Sequence, residues 1–438
     1  MIRLKRENLS FYLLVTFWTL VSLAKLIQNP FVMYAAILVA VFVMYTATDS
    51  QRVGFALMLV PNIRMFDGLG TTILINILLF LPLVFKIISE RRINKTALLH
   101  TVILASMEMV HLLFNQTFEF IIPNMVTIFT LMYVESVLLD EHTHTNFPAI
   151  TRMFAFGSIY SAVMYFVVNV TMHIDMSLYF RGLEYRYQGY ASDPNYFSLY
   201  MCLAIAMLFI IPHHKKRDIV YIFALAFIEL FTLSKMALVL LIITVLYFGV
   251  KAVWHGFSGK MRFVKYILLV GAGLAVIFSN RIVTLLEVTL RRLQQHNGTA
   301  VNIDTITSGR TTLTSFYFEH MLSDPLIFFF GQGLQYNNLY DNSLSHNTLF
   351  DILLSWGIVG VAFMVFIFYT LFRYLRRTCP ERITIDHYVP FFILILTFMA
   401  LSCLSASMFW WVVCAALLPL KGIDYEQITA DHRSRSGI

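Results

Sequence analysis

The chain has 438 residues, 58% of them apolar and only 13% charged, and its mean hydropathy is +0.72. A water-soluble globular chain carries about a quarter charged residues, and a disordered one needs low hydrophobicity, so composition excludes both. The formal net charge of +7 could mark a nucleic-acid or lipid footprint, a question decided by where the charges fall. The cysteines Cys202, Cys379, Cys403 and Cys414 form neither a CxxC pair nor a metal-ligand spacing. They read as small apolar residues rather than a disulfide frame.

Arg3, Lys5 and Arg6 precede an apolar run from about residue 10 to 28. With no small-x-small cleavage site and with further apolar runs following at once, this segment is expected to be an uncleaved first helix. Further apolar runs lie near residues 31–47, 53–66, 70–88, 96–114, 120–139, 152–170, 196–212, 218–233, 236–250, 266–280, 347–371, 388–405 and 408–420. A crossing takes about 20 apolar residues as helix, so the run at 53–66 is short and is expected to be tilted or re-entrant. The runs are continuous rather than alternating, which excludes a membrane β-barrel. The expected fold is all-α: one polytopic membrane domain over residues 1–438, with about 14 (12–14) transmembrane helices.

Orientation follows from Lys and Arg. With a cytoplasmic N-terminus, the inside segments hold Arg52, Lys86 to Lys95, Arg152, Lys215 to Arg217, Lys251 to Lys265, Arg373 to Arg382 and the C-terminal tail. Of the 32 Lys+Arg, 23 then fall inside and 9 elsewhere; of the 25 Asp+Glu, 11 fall inside and 14 elsewhere. The inside is thus +12 and the remainder −5, which recovers the +7. The charge orients the chain, and no nucleic-acid partner is expected. Both termini are expected in the cytoplasm.

Two outside loops exceed simple turns, at about 171–195 and 281–345. Each is slightly acidic, yet they hold most of the arginines placed against the positive-inside bias: Arg181 and Arg186 in the first, Arg281, Arg291, Arg292 and Arg310 in the second. The stretch 281–295 has one apolar helical face and is expected to lie on the membrane surface. Arg181, Arg186 and Arg310 sit among Gly, Ser and Tyr instead, and a guanidinium fork binds phosphate bidentately. The first loop closes in Asp193-Pro194-Asn195, a turn and cap ahead of a helix. The second contains Ser308-Gly309-Arg310, an expected amphipathic helix at about 311–322, Asp324-Pro325 and Gly331-Gln332-Gly333, and closes in Ser345-His346-Asn347. Gly-Gln-Gly is not a phosphate-binding fingerprint, because no strand precedes it. His346, which ordinarily titrates near neutrality, is the best proton acceptor among 13 histidines. Ser234-Lys235 falls in an outside turn, where the ammonium either snorkels or meets a phosphate. Glu108, His111, Glu135, Glu229 and Asp351 are ionisable at or near membrane depth, where such groups are functional candidates by default.

This arrangement resembles the Wzy-type O-antigen and exopolysaccharide polymerases and the related O-antigen ligases. The resemblance is carried by the overall architecture and by motifs between Arg181 and Gly360. These are the Arg- and Gly-containing loop ending in Asp193-Pro194-Asn195, Ser234-Lys235 (relatives often have Ser-Arg), and Ser308-Gly309-Arg310. They continue with the stretch from Pro325-Leu326 to Gly331-Gln332-Gly333, with His346-Asn347 and with Gly357-Ile358-Val359-Gly360. It implies a GT-C-like, inverting, metal-independent glycosyltransferase with no cofactor, in the bacterial cytoplasmic membrane. It also implies an undecaprenyl-diphosphate-linked oligosaccharide as substrate, with membrane lipids, a chain-length regulator and a flippase as partners. On that resemblance His346 and Arg310 are the expected catalytic residues, and Arg181, Arg186, Lys235, Asn347, Tyr187 and Tyr190 are expected to bind the diphosphate and glycan. Tyr185 and Tyr336 are further loop tyrosines on which a sugar could stack.

Two other readings compete. An O-antigen ligase would move the glycan to lipid A core with similar machinery. A flippase or transporter would have similar span counts, but such proteins commonly show internal repeats, and none is visible here.

Overall fold

Asn29 and Pro30 set the first corner of the fold. The Asn29 carboxamide accepts the backbone N–H groups of Phe31 and Val32 at 2.9 and 3.4 Å, and Pro30 occupies the first helical position, where its missing N–H costs nothing. Helix α1 (Arg6–Ile27) therefore turns straight back into α2 (Pro30–Thr46). The same device recurs. Asn146 caps α7 (Phe147–Thr171), Asp193 caps α8 (Pro194–Ile210), and Asp324 caps α12 (Pro325–Phe330), each with Pro at the first or second helical position.

The computed structural model describes residues 6–67, 72–90, 94–115, 117–140, 143, 145–173, 186–191, 193–212, 214–232, 234–254, 264–265, 283, 287, 310–336, 345–378, 383–404 and 408–421. Among them every regular element is helical. The remaining helices are α3 (Asp49–Leu59), α4 (Thr72–Glu90), α5 (Lys95–Asn115), α6 (Ile121–Leu138), α9 (Lys216–Thr232) and α10 (Lys235–Trp254). They continue with α11 (Arg310–Ser323), α13 (Thr348–Thr378), α14 (Val389–Phe398) and α15 (Phe409–Leu417). Each expected apolar run contains one of these helices, except 266–280, which lies outside the described residues, as does most of the expected surface helix at 281–295.

Four helices among the described residues are long and apolar enough to cross a membrane: Lys95–Asn115, Phe118–Leu138, Phe147–Thr171 and Thr348–Thr378. Shorter apolar helices of 10–17 residues accompany them, including Phe11–Ile27, Pro30–Thr46 and Pro194–Ile210. Large apolar side chains such as Phe11, Phe31, Leu38, Phe42, Leu246 and Val250 face outward on α1, α2 and α10, an arrangement that needs an apolar surrounding. This is a helical membrane protein.

The inside of the bundle is formed by α3, α8 and α15. All of α8 from Phe197 to Ile210 is buried, and so is all of α15. The short run at 53–66 is also interior. Thr48 and Gln51 form a reciprocal capping box at the start of α3, and the helix continues into a tighter 3-10 segment, Val60–Phe66. At about 1.5 and 2.0 Å per residue these two pieces together cover roughly 30 Å, the thickness of a bilayer core. Asn62 ties this element to α7, donating to the carbonyls of Met58 and Gly157, each at 2.9 Å.

Part of the second loop is built into the bundle. Helix α13 is broken at Gly357 (φ 63°, ψ −165°). In an unbroken helix the carbonyls of Leu354 and Ser355 would accept from residues four further on. Here they accept from the loop instead: Gln332 N–H to Leu354 O at 2.8 Å and Gly333 N–H to Ser355 O at 2.7 Å. Helix α12 packs along α13, and Asn115 at the end of α5 donates to Gln332 O at 2.7 Å.

Segments expected inside gather at one end and pair their charges there. Lys86 reaches Asp49 at 2.8 Å and Asp140 at 3.7 Å, Arg52 meets Asp49 at 3.0 Å, and Lys251 meets Asp386. Arg152 grips Asp218 with two bonds, at 2.7 and 2.8 Å.

Candidate functional site

At the opposite end, three separated sequence segments converge. Arg186 comes from the end of the first loop, Asn195 from the first turn of α8, and Ser234 from the turn between α9 and α10. Arg186 Nη2 donates to Asn195 Oδ1 at 2.6 Å, and its Nε donates to Thr232 O at 3.1 Å. Ser234 Oγ donates to the same Asn195 oxygen at 3.0 Å. Asn195 is itself placed by the cap, its N–H donating to Asp193 Oδ1 at 2.7 Å. A planar guanidinium held by two acceptors on one edge is fixed in direction. The expected Asp193-Pro194-Asn195 and Ser234-Lys235 motifs are thus parts of one cluster. Lys235 is the first residue of α10.

The loop tyrosines anchor this cluster. Tyr187 is buried, donates its hydroxyl to Ala162 O at 2.5 Å, and donates its N–H to Phe231 O at 3.0 Å. Tyr190 is half-buried; its N–H donates to Ser161 Oγ at 2.8 Å and its carbonyl accepts from Arg64 N–H at 3.0 Å. Lys25 Nζ lies 5.9 Å from the centre of the Tyr190 ring. Where a sugar-stacking role is expected of Tyr187, the structure places a buried ring that pins the loop to α7 and α9.

A second cluster surrounds Asp351, in the first turn of α13. Its Oδ1 accepts from Tyr336 Oη, from Ser345 Oγ at 2.5 Å and from Ser402 Oγ at 3.1 Å. Asn347 caps the helix through its side chain, accepting Phe350 N–H at 3.1 Å. His346, just outside the cap, is exposed and has φ 56°. The two clusters touch: Tyr196, next to Asn195, donates its hydroxyl to the carbonyl of Ser402. Arg310 begins α11, and Tyr317 of that helix packs edge-on against Tyr336 with ring centres 5.6 Å apart. Of the expected site residues, Arg186, Lys235, His346 and Asn347 therefore belong to segments that meet. The helix of Arg310 leans on the same core, and Arg181 lies outside the described residues.

Deeper in the bundle, Glu108 is buried and accepts from Asn124 Nδ2 at 2.7 Å, from Trp356 Nε1 at 3.1 Å and from the N–H of Leu334. Gln335 donates to Asn124 Oδ1 at 2.9 Å. Further along α5, His100 and Glu135 pair at 2.8 Å, both buried, with Phe363 and Phe366 presenting edges to the imidazole. Sequence reasoning named Glu108, Glu135 and Asp351 but not the contacts they make. It passed over His100, although an imidazole within an apolar run was the available signal. Ser402 carried no signal, because it is one of three serines, with Ser405 and Ser407, in the short stretch that follows α14.

Chemically, this end of the bundle offers a directed guanidinium, a lysine at a helix start, an exposed imidazole and a buried carboxylate that gathers hydroxyls. No protein-family model matches the chain, and no curated protein matches it either.

Proposed function

We propose that the chain is a polysaccharide polymerase of the Wzy type, an inverting, metal-independent GT-C-class glycosyltransferase. It joins undecaprenyl-diphosphate-linked repeat units at the outer face of the bacterial cytoplasmic membrane. In this reading about 14 helices cross the bilayer and both termini are cytoplasmic; the pairing of Asp49, Lys86, Arg152, Asp218, Lys251 and Asp386 at one end supports that sidedness.

The observation that carries the reading is the convergence of motifs from two distant loops. The Arg186–Asn195–Ser234 cluster meets the Ser345–Asp351–Ser402 cluster beside His346. A glycosyl transfer from a lipid diphosphate asks for cations where the leaving group gathers charge and a base within reach of the attacking hydroxyl. The acceptor hydroxyl attacks the anomeric carbon, the bond to the diphosphate oxygen breaks with inversion, and His346 takes the hydroxyl proton. Arg181, Arg186, Arg310 and Lys235 would meet the departing diphosphate, and Asn347 and Tyr190 would border the glycan.

Full-length protein in liposomes, given an undecaprenyl-diphosphate-linked repeat as sole substrate, tests the reading. Products lengthened by whole repeats are expected. Transfer only when lipid A core is added would make it a ligase. Movement of intact substrate across the bilayer without a new glycosidic bond would make it a flippase.

A further inference from the structure

We propose that Asp351 is a positioning residue for His346, acting through Ser345; this rests on the reading that His346 serves the acceptor hydroxyl. Asp351 is 3% exposed, too enclosed to meet a substrate itself. Its Oδ1 collects hydroxyls from three separate pieces of chain. Tyr336 comes from the inserted part of the second loop, Ser345 directly precedes His346, and Ser402 comes from the segment between α14 and α15.

Ser345 is the piece that matters for geometry. Its hydroxyl donates to Asp351 at 2.5 Å and accepts the N–H of Asn347 at 3.1 Å, while its own N–H donates to Tyr336 Oη at 3.2 Å. The residues on both sides of His346 are therefore tied together, and Asn347 is fixed as the cap of α13. The residue between them is forced out of the helix path. His346 accordingly adopts φ 56°, a left-handed conformation that residues other than glycine seldom occupy, and its side chain is exposed at the mouth of the helix. A carboxylate at a helix N-terminus is also favoured by the unpaired N–H groups there. With the carboxylate in place, the imidazole is presented at a set position; without it, the Ser345–His346–Asn347 corner relaxes.

Two readouts test this on full-length protein in detergent. With a lipid-linked repeat as substrate, Asp351→Asn is expected to lower kcat about ten-fold or more while KM stays within about two-fold, as for loss of orientation rather than of binding. In ring-13C-histidine NMR spectra, the His346 resonance is assigned by its loss in His346→Gln. It is expected to shift in Asp351→Asn and in the milder Ser345→Ala, but not in Asp386→Asn at the other end of the bundle. An unmoved His346 resonance in both variants would overturn the proposal whatever the activity. A moved resonance in a protein that never lengthens glycan would uphold the positioning and remove the polymerase reading.

Discussion

Gly331 and Gly357 each occupy space that the other's backbone neighbours leave no room to enlarge. A β-carbon on Gly331 would lie 2.4 Å from the carbonyl carbon of Ser355 and the nitrogen of Trp356; one on Gly357 would lie 2.3 Å from the carbonyl carbon and oxygen of Phe329. Both residues have positive φ. Two backbones are thus pressed together at a break in α13, and the contact tolerates no side chain on either partner.

Alanine at either glycine must therefore separate α12 from α13. Gly331→Ala and Gly357→Ala are each expected to cost about 2 kcal/mol or more, through backbone strain and lost contact. Because they break one shared contact, the double variant should lose less than the sum of the singles. Thermal unfolding in detergent measures this, and unchanged midpoints would refute the interlock.

Arg186 should not be replaceable by lysine. Its Nε and Nη2 donors, side by side on one edge, reach two separate acceptors, Thr232 O and Asn195 Oδ1, a planar fork that an ammonium on a flexible stem does not reproduce. Glycan lengthening should fall about ten-fold or more in Arg186→Lys and at least as far in Arg186→Ala, with chain levels in the membrane retained. Equal activity of the lysine variant and the parent would show that charge alone suffices.

The Arg152–Asp218 pair offers a cleaner energetic test, being distant from the site. Asp218 is fully buried and bound by two guanidinium donors. Removing one partner leaves a buried uncompensated charge, at a cost of about 3–5 kcal/mol. Arg152→Met and Asp218→Leu should each destabilise by that order, while the double apolar variant should recover most of the loss. Additive losses would mean that the two residues are not coupled.

Sidedness is checked by chemistry at exposed positions. In a chain freed of its native cysteines, Leu326→Cys should label with an impermeant maleimide from outside the cytoplasmic membrane, and Ile385→Cys only after permeabilisation. Both native side chains are well exposed. The reverse pattern would invert the topology drawn from the arginines and lysines.

Most of the helices were legible because they are apolar runs, and the start of α8 because Asp193 followed by Pro194 is a cap that local chemistry dictates. The short run at 53–66 was ambiguous for a physical reason. Its reach depends on a tighter helical segment, which hydropathy does not report. The inserted loop was hidden more thoroughly. Gly331-Gln332-Gly333 has no apolar pattern, and its partners are carbonyls set free by a glycine elsewhere in the chain. The acids in the apolar runs could be named from position alone, but not what they bind: the indole of Trp356 on Glu108 is a contact across 248 residues of sequence. Arg186 and the Asp193-Pro194-Asn195 turn stood out singly; their meeting with Ser234 needed α8, α9 and α10 placed side by side.

The burial of α8 also orders how the protein is assembled. Its neighbours are α7, α9 and α10, made close to it in time, and α14 and α15, the last helices described. A chain emerging from its N-terminus therefore holds one flank of α8 open until those final segments arrive. A wholly buried helix is thus made midway through synthesis and enclosed only at its end.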